Sequence, residues 1–132
     1  MMTETDKEAL VGTMLAVAAA DDNFDVVESK IITLNVMMSD VGISEERFRE
    51  IVNKFLMMMV ATGKDSISVW CRDNLADSYR ARVFHYAVDV AVCNVGVLET
   101  PQSQMLDYFA SGWGINDADK ASAIAEAKKK YL

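Results

Sequence analysis

The sequence predicts an all-α fold, and three observations support this prediction. Proline occurs once and glycine six times in 132 residues, whereas all-β folds use these residues at their many turns. Apolar residues recur at three- and four-residue spacing through most of the chain, as on the buried face of a helix. Capping residues precede these stretches, and glycine follows several of them. We therefore expect a helical bundle of about seven helices.

The composition indicates one globular domain over residues 1–132. Hydrophobic residues make up 52% of the chain and charged residues 25%, which is enough to form a core. The formal net charge of −7 argues against binding to nucleic acid and to anionic membrane surfaces, because both need clustered Lys and Arg. The same charge allows cations and basic protein partners.

The sequence also predicts a cytoplasmic protein. Its N-terminus is polar and acidic, unlike a signal peptide, and its apolar runs are too short to span a bilayer. Cys71 and Cys93 lack CxxC spacing and a small secreted frame, so we expect reduced, buried thiols.

The first predicted helix extends from a cap at Thr5 or Asp6 to Ala20 and is rich in alanine, which lets other backbones come close. The second extends from an N-cap at Asp25 to Gly42. Apolar residues at helical spacing continue through both stretches.

The third predicted helix is capped by Ser44 and ends at Gly63. Its second half, residues 55–60, is apolar nearly all round. Such a helix lies either at the centre of a bundle or at an interface.

Four shorter helices are predicted in the remaining chain. The first begins at Asp65 or Ser66 and ends near residue 75, and a strand over residues 67–70 is the alternative. The next covers about 77–94. The sixth starts at Thr100 with proline at its first position, and the seventh is capped by Asn116.

The two halves of the chain, roughly 6–63 and 77–132, repeat one order of elements. Each has a helix, an acidic turn, a second helix, a Gly-Ile-cap segment and a third helix. Gly42–Ser44 matches Gly114–Asn116, and one residue is inserted in the second turn. A repeat of this length predicts two pseudo-symmetric halves.

The repeated turns resemble the TerB-like family, which is named for tellurite resistance proteins. The family motif is similar to Ala-x-Ala-Asp-Gly-x-(aliphatic or aromatic)-Asp-x-x-Glu, in two copies. The first copy here departs from it at Asp22, where the family usually has glycine. Its matching residues are Ala18, Ala20, Asp21, Phe24, Asp25 and Glu28. The second copy has Ala91 and Cys93 at the small positions, then Asn94, Glu99 and Gln102 at the acidic ones.

This resemblance implies an all-helical domain that accompanies stress-response and membrane-associated systems. It implies a metal site at the acidic turns, with Asp21, Asp25 and Glu28 carried over directly. In the second turn, amides replace two carboxylates, at Asn94 and Gln102. A cytoplasmic protein that reaches membranes through its partners would fit.

The residues of the first turn support the same site independently. Asp21, Asp22, Asp25 and Glu28 place four carboxylates within eight residues, and hard cations prefer oxygen ligands. We expect Ca²⁺, Mg²⁺ or Mn²⁺ before Zn²⁺, with Glu99 as a further ligand. A structural role is nevertheless the favoured interpretation of these four residues, since helix capping by itself accounts for their types.

A second group, His85, Asp89 and Cys93, is spaced along one stripe of a helix. The three could be metal ligands or an acid–base pair. Structural pairing of Asp89 with Arg72, Arg80 or Arg82 is the favoured interpretation, because a carboxylate on a buried face needs a partner.

Nine methionines form the third feature, with three in succession at residues 57–59. Three consecutive side chains cannot share one face of a helix, so at least one should be exposed or at a contact. Core filling is the favoured interpretation of the methionines as a group, and the alternative is a Met- and aromatic-rich surface that binds a protein partner or a second copy.

The leading hypothesis is a TerB-like, non-enzymatic module that acts through protein partners, with a divalent cation at the acidic turn. A dedicated metal-ion-binding protein of a stress response is the second hypothesis. A small hydrolase using Asp21, Asp25 or the His85–Asp89 pair is the third and least favoured. The sequence contains no P-loop, GxGxxG, GxSxG or HExxH motif.

Overall fold

The computed structural model of the chain describes residues 2–18, 20, 42–63, 65–92 and 100–131. Within these ranges it contains six α-helices, one short 3-10 helix and no strand. The all-α prediction is therefore confirmed. Residues 25–41, which carry the second predicted helix, lie outside the described ranges.

The bounds of the helices agree with the sequence except at a few ends. The strand alternative for residues 67–70 is wrong, because they lie in a helix. The helix predicted from residue 77 instead begins with a 3-10 turn. The elements are α1 (Glu4–Ala18), α2 (Glu45–Thr62), α3 (Asp65–Asn74), a 3-10 turn (Asp77–Tyr79), α4 (Arg80–Val92), α5 (Thr100–Trp113) and α6 (Asp117–Tyr131).

Helix α1 lies at the centre of the described structure and packs against α2, α3, α4 and α5. All of its residues from Ala9 to Ala18 are buried. Alanine and glycine make this possible, because small side chains let neighbouring helices approach from several sides. Of the two positions expected for the third predicted helix, central or at an interface, the central one is therefore wrong: α2 buries one face and leaves the other exposed.

The start of α1 differs from the predicted cap at Thr5 or Asp6. Thr3 is the N-cap instead: its hydroxyl accepts a hydrogen bond from the Asp6 N–H at 3.1 Å. Asp6 returns the bond, since its Oδ2 accepts from the Thr3 N–H at 3.1 Å. This reciprocal pair is a capping box with aspartate in the third helical position. The helix therefore begins two or three residues earlier than predicted.

Two charged side chains of α1 hold α2 in place. Glu8 accepts hydrogen bonds from Arg47 at 3.1 Å and from Lys54 at 2.9 Å, and Glu4 accepts one from Arg47 at 3.2 Å. Glu8 is only 17% exposed, so solvent screens these pairs less than pairs on an open surface.

The two Gly-Ile-cap segments have the same local conformation. Gly42 and Gly114 have φ angles of +77° and +69°, a region that favours glycine. Ser44 Oγ then accepts from the N–H of residue 47 at 3.1 Å, and Asn116 Oδ1 accepts from the N–H of residue 119 at 2.8 Å. Both predicted caps are thus confirmed, while the symmetry of the whole halves stays a prediction.

Within the described ranges, no helix has both the length and the apolar character needed to cross a membrane.

Candidate functional site

The acidic turns themselves fall outside the described part of the chain. This applies to Asp21, Asp22, Asp25 and Glu28 of the first turn and to Cys93, Asn94 and Glu99 of the second. The structure does describe residues that adjoin both turns. Ala20 directly precedes Asp21, and Pro101 follows Glu99 by two positions.

Ala20 and Pro101 line the same cleft, which has a volume of about 490 Å³. Helix α3 forms one wall with Asp65, Ser68 and Val69. Helix α5 forms the other. The residues that flank the two acidic turns therefore lie in the same part of the fold, although 80 residues separate Ala20 from Pro101 in the chain.

The α5 wall carries Met105 and Tyr108. The phenolic oxygen of Tyr108 is shielded from solvent and has no hydrogen-bond partner. The Arg72 guanidinium lies over its ring, with Cζ 4.4 Å from the ring centroid. Burial raises the pKa of the Tyr108 hydroxyl, so it stays protonated at neutral pH and can donate as well as accept a hydrogen bond.

Gln102 is the second described side chain with an unsatisfied buried atom. It is 1% exposed, and its Oε1 has no hydrogen-bond partner. Such an oxygen loses its hydration without compensation, which is uncommon in a folded protein. By the repeat, Gln102 corresponds to Glu28 of the first turn.

The stripe formed by His85, Asp89 and Cys93 is only partly described, because Cys93 lies outside. His85 is exposed and Asp89 is half-buried. The three arginines considered as partners of Asp89 contact other groups: Arg72 contacts Asp73 and Tyr108, Arg80 contacts Asp77, and Arg82 contacts Tyr86.

His85 does line a small depression of about 190 Å³ between α4 and α6. Asp119, Ser122 and Glu126 of α6 line it as well. The structure records no hydrogen bond between His85 and Ser122, both of which it describes. The depression thus brings together residue types used in hydrolysis without the contacts that activate a nucleophile.

No three His, Cys, Asp or Glu side chains converge as a metal site among the described residues. Cys71 is a free, buried thiol, as predicted, and burial raises its pKa to about 12. It therefore stays protonated and is a poor metal ligand or nucleophile.

The exposed face of α2 is the remaining candidate. Met57 is 74% exposed and Val60 is 89% exposed, and together with Leu56 and Ala61 they form a strip that we call the apolar strip. The prediction that one of the three successive methionines would be exposed is confirmed at Met57.

The polar part of the same face lies toward the start of the helix. Its residues recur at the spacing of the apolar strip and so lie in line with it. Three carboxylates and one arginine give it an excess of negative charge. The residues are Glu45, Glu46, Arg49, Glu50 and Asn53, which we call the acidic half of the α2 face.

The sequence indicated Met57 and, through the repeat, Gln102, but not Tyr108. Only the packing of α5 shows that the Gln102 and Tyr108 oxygens lack partners. No protein-family model matches this chain, and comparisons with curated proteins and with solved structures give no significant match.

Proposed function

We propose that this chain is a non-enzymatic, TerB-like helical module that acts by binding a protein partner. The observation that carries the proposal is the apolar strip on α2, where Met57 and Val60 are 74% and 89% exposed. An apolar helix face of this kind is a common docking surface for a partner helix.

Charge identifies the kind of partner. The acidic half of the α2 face continues the apolar strip along the helix, and the whole chain carries a net charge of −7. A second copy would bring the same negative charge to the contact. An amphipathic helix with leucine-like residues at one end and Lys or Arg at the other complements both halves.

The test uses an 18-residue helical peptide whose contact face carries Leu at one end and Lys at the other, and the same peptide with Glu in place of Lys. Amide NMR signals of the ¹⁵N-labelled chain should move along α2 with the Lys peptide and not with the Glu peptide. The double substitution Met57→Ser, Val60→Ser should weaken binding at least about tenfold, since it removes two apolar side chains that the partner would bury.

Val69→Ser is the matched control, because Val69 is 44% exposed but lies on α3. It should leave the affinity for the Lys peptide unchanged. Equal affinity of the double variant and the original chain would refute this use of the strip. If the original chain has the molar mass of two chains in solution and the double variant has that of one, the strip binds a second copy of the chain instead.

A cation at the acidic turns is a second candidate, which two observations favour. Ala20 and Pro101, which adjoin the two turns in sequence, line one cleft. Gln102, at a motif position of the second turn, buries an oxygen without a partner. Neutral amide and carboxylate oxygens are ligands that Ca²⁺, Mg²⁺ and Mn²⁺ accept. We propose Asp21, Asp25, Glu28 and Glu99 as the charged ligands.

The measurement for this candidate is the melting temperature at increasing concentrations of each ion. An ion at a hundredfold excess over its dissociation constant should stabilise the chain by about 2.7 kcal/mol. Asp21→Ala and Asp25→Ala should remove this gain, whereas Glu46→Ala on the exposed α2 face should retain it. If none of the ions raises the melting temperature, the turns serve only as helix caps.

A further inference from the structure

We propose that the exposed thioether of Met57 is a site of reversible oxidation by hydroperoxides, and that its sulfoxide switches off the apolar strip on α2. Only the effect on a partner rests on the proposed function, because the oxidation and the loss of apolar character can both be measured on the chain by itself. Hydrogen peroxide is the simplest oxidant of this class.

Exposure distinguishes Met57 from its neighbours. It is the one exposed methionine among the six that the structure describes. Met58 and Met59 follow it directly in α2, but both are half-buried and pack against the core. Met14 is fully buried. Three successive side chains of the same chemistry therefore differ in their access to a dissolved oxidant, which favours reaction at Met57.

The oxidation needs only the thioether and the peroxide. With hydrogen peroxide, the sulfur lone pair of Met57 attacks one oxygen, an S–O bond forms, the O–O bond breaks, and the second oxygen leaves as water. Sulfur is oxidised and the peroxide is reduced. A methionine sulfoxide reductase with a thiol reverses the step: the oxygen leaves as water and two thiols become a disulfide.

The buried thiol of the described chain does not compete for the peroxide. Cys71 is fully buried, and burial raises the pKa of its thiol to about 12, whereas thiol oxidation proceeds through the thiolate. Hydrogen peroxide is neutral, so the carboxylates in the acidic half of the α2 face do not repel it. We therefore expect Met57 to react before the other described sulfur atoms.

Oxidation of Met57 would change the strip without touching the core. The sulfoxide adds a polar oxygen to a flexible apolar side chain. Val60 and Ala61 lie three and four positions further along and share the face of α2, so this oxygen enters the strip. A partner that covers the strip must then remove the oxygen from water, which weakens binding. Because Met57 is exposed, the fold should keep its stability.

The first experiment locates the oxidised sulfur. The full chain is treated with hydrogen peroxide and digested with trypsin, which releases residues 55–64 as one peptide because Lys54 precedes it and Lys64 ends it. Tandem mass spectrometry then assigns the added oxygen within the run of three methionines. Met57 should reach half-conversion before the two methionines that follow it. Equal rates at the three, or faster reaction at either neighbour, would overturn the proposal.

The second experiment measures the strip with and without a partner. Peroxide treatment should shorten the retention of the chain on a hydrophobic-interaction column. It should weaken binding of the Lys peptide about threefold or more, since one apolar contact is lost. The melting temperature should not change, and methionine sulfoxide reductases with a thiol should restore retention and binding. Unchanged retention, or a loss that the reductases do not reverse, would contradict the assignment.

Met57→Leu tests the site directly, because leucine is apolar, similar in size and free of sulfur. This variant should bind the Lys peptide normally and keep its binding and retention after peroxide. Met59→Leu is the matched control and should stay sensitive to peroxide. Both variants keep Cys71 and Cys93, so a peroxide effect that persists in Met57→Leu would belong to another sulfur and would refute the site. If the untreated chain does not bind the Lys peptide, the partner hypothesis fails, and column retention still tests the oxidation of Met57.

Discussion

The residue at position 12 is glycine, and two neighbouring helices fill the space that a side chain would occupy. A Cβ at this position would lie 2.8 Å from Cζ of Phe55 and still closer to Sγ of Cys71. Both neighbours are fully buried and have no room to move away. Glycine is therefore required in the middle of α1, although it weakens an isolated helix by about 1 kcal/mol relative to alanine.

We predict that Gly12→Ala lowers the free energy of unfolding by about 1–2 kcal/mol. Overpacking a rigid core costs about 1–3 kcal/mol, and the better helix propensity of alanine offsets only part of this cost. Urea unfolding followed by circular dichroism measures the difference.

Ser111→Ala on α5 is the control for this substitution. Ser111 is exposed in a helix, so alanine at this position changes the helix propensity without overpacking a core. We expect a change within about 0.5 kcal/mol. An equal loss in both variants would mean that helix packing at position 12 is not the cause.

For single residues, the sequence pattern was enough to identify local features, but it was not enough to predict contacts between helices. The caps Ser44 and Asn116 were predictable because each bonds to a backbone N–H only three residues away. The unsatisfied oxygens of Gln102 and Tyr108 were not, since a missing partner depends on every element packed around them.

Among the elements, α1 is tied to the rest of the fold by its own N-terminal cap. Asp6 is 4% exposed, and its second oxygen accepts a hydrogen bond from the Ala76 N–H at 3.0 Å. Burial would by itself raise the pKa of Asp6, but the bonds from Ala76 and Thr3 outweigh it and hold the pKa below its usual value. The ionised form is therefore the one that stabilises the fold.

This contact makes stability depend on pH with a definite sign. A carboxyl whose pKa is lower in the folded state contributes fully above its unfolded pKa, near 3.8, and the contribution is lost as pH falls through the folded pKa. We predict that Asp6→Asn lowers the free energy of unfolding by about 1–2 kcal/mol at neutral pH. Below about pH 4 the difference from the original chain should shrink.

Urea unfolding between pH 7 and pH 2 measures this dependence. Glu8→Gln is a useful second variant, because the pKa of Glu8 is lowered too: burial opposes this, and the bonds from Lys54 and Arg47 outweigh it. A constant difference between Asp6→Asn and the original chain across the whole pH range would contradict the assignment.

Helix α2 shows how far an element can be predicted from its own residues. Its cap and its apolar second half were evident in the sequence, but the apolar residues left two positions for it, central or peripheral. The structure places it beside α1 with Met57 and Val60 outward. The inward face of α2 is formed at helical spacing by Phe48, Ile51 and Phe55. These side chains fill the core, so Met57 and Val60 are not needed there.

For the whole molecule, the central position belongs to α1, whose residues from Ala9 to Ala18 are all buried against its neighbours. Packing then depends on how closely four other helices can approach it, and a helix with Gly12 and several alanines allows the closest approach. Hydrophobic residues by themselves left the methionine-rich helix either central or at an interface, since hydrophobicity measures the gain from burial and not the distance between backbones.

The cleft is also a property of the whole molecule. Asp65 and Tyr108 lie 43 positions apart in the chain and line the same cleft only because α3 and α5 pack against each other. Neither residue stands in a sequence motif, so no reading of the chain in order could have paired them.

The sequence by itself determined the helical class, the positions of most helix ends and the exposure of a methionine in the run at 57–59. These features depend on neighbours within about four residues, where spacing and capping rules apply. Only the tertiary structure decided that α1 is central, that the flanks of the two acidic turns share a cleft and that Tyr108 lacks a partner. Those features depend on which helices pack together, and many residues distant in the chain determine that jointly.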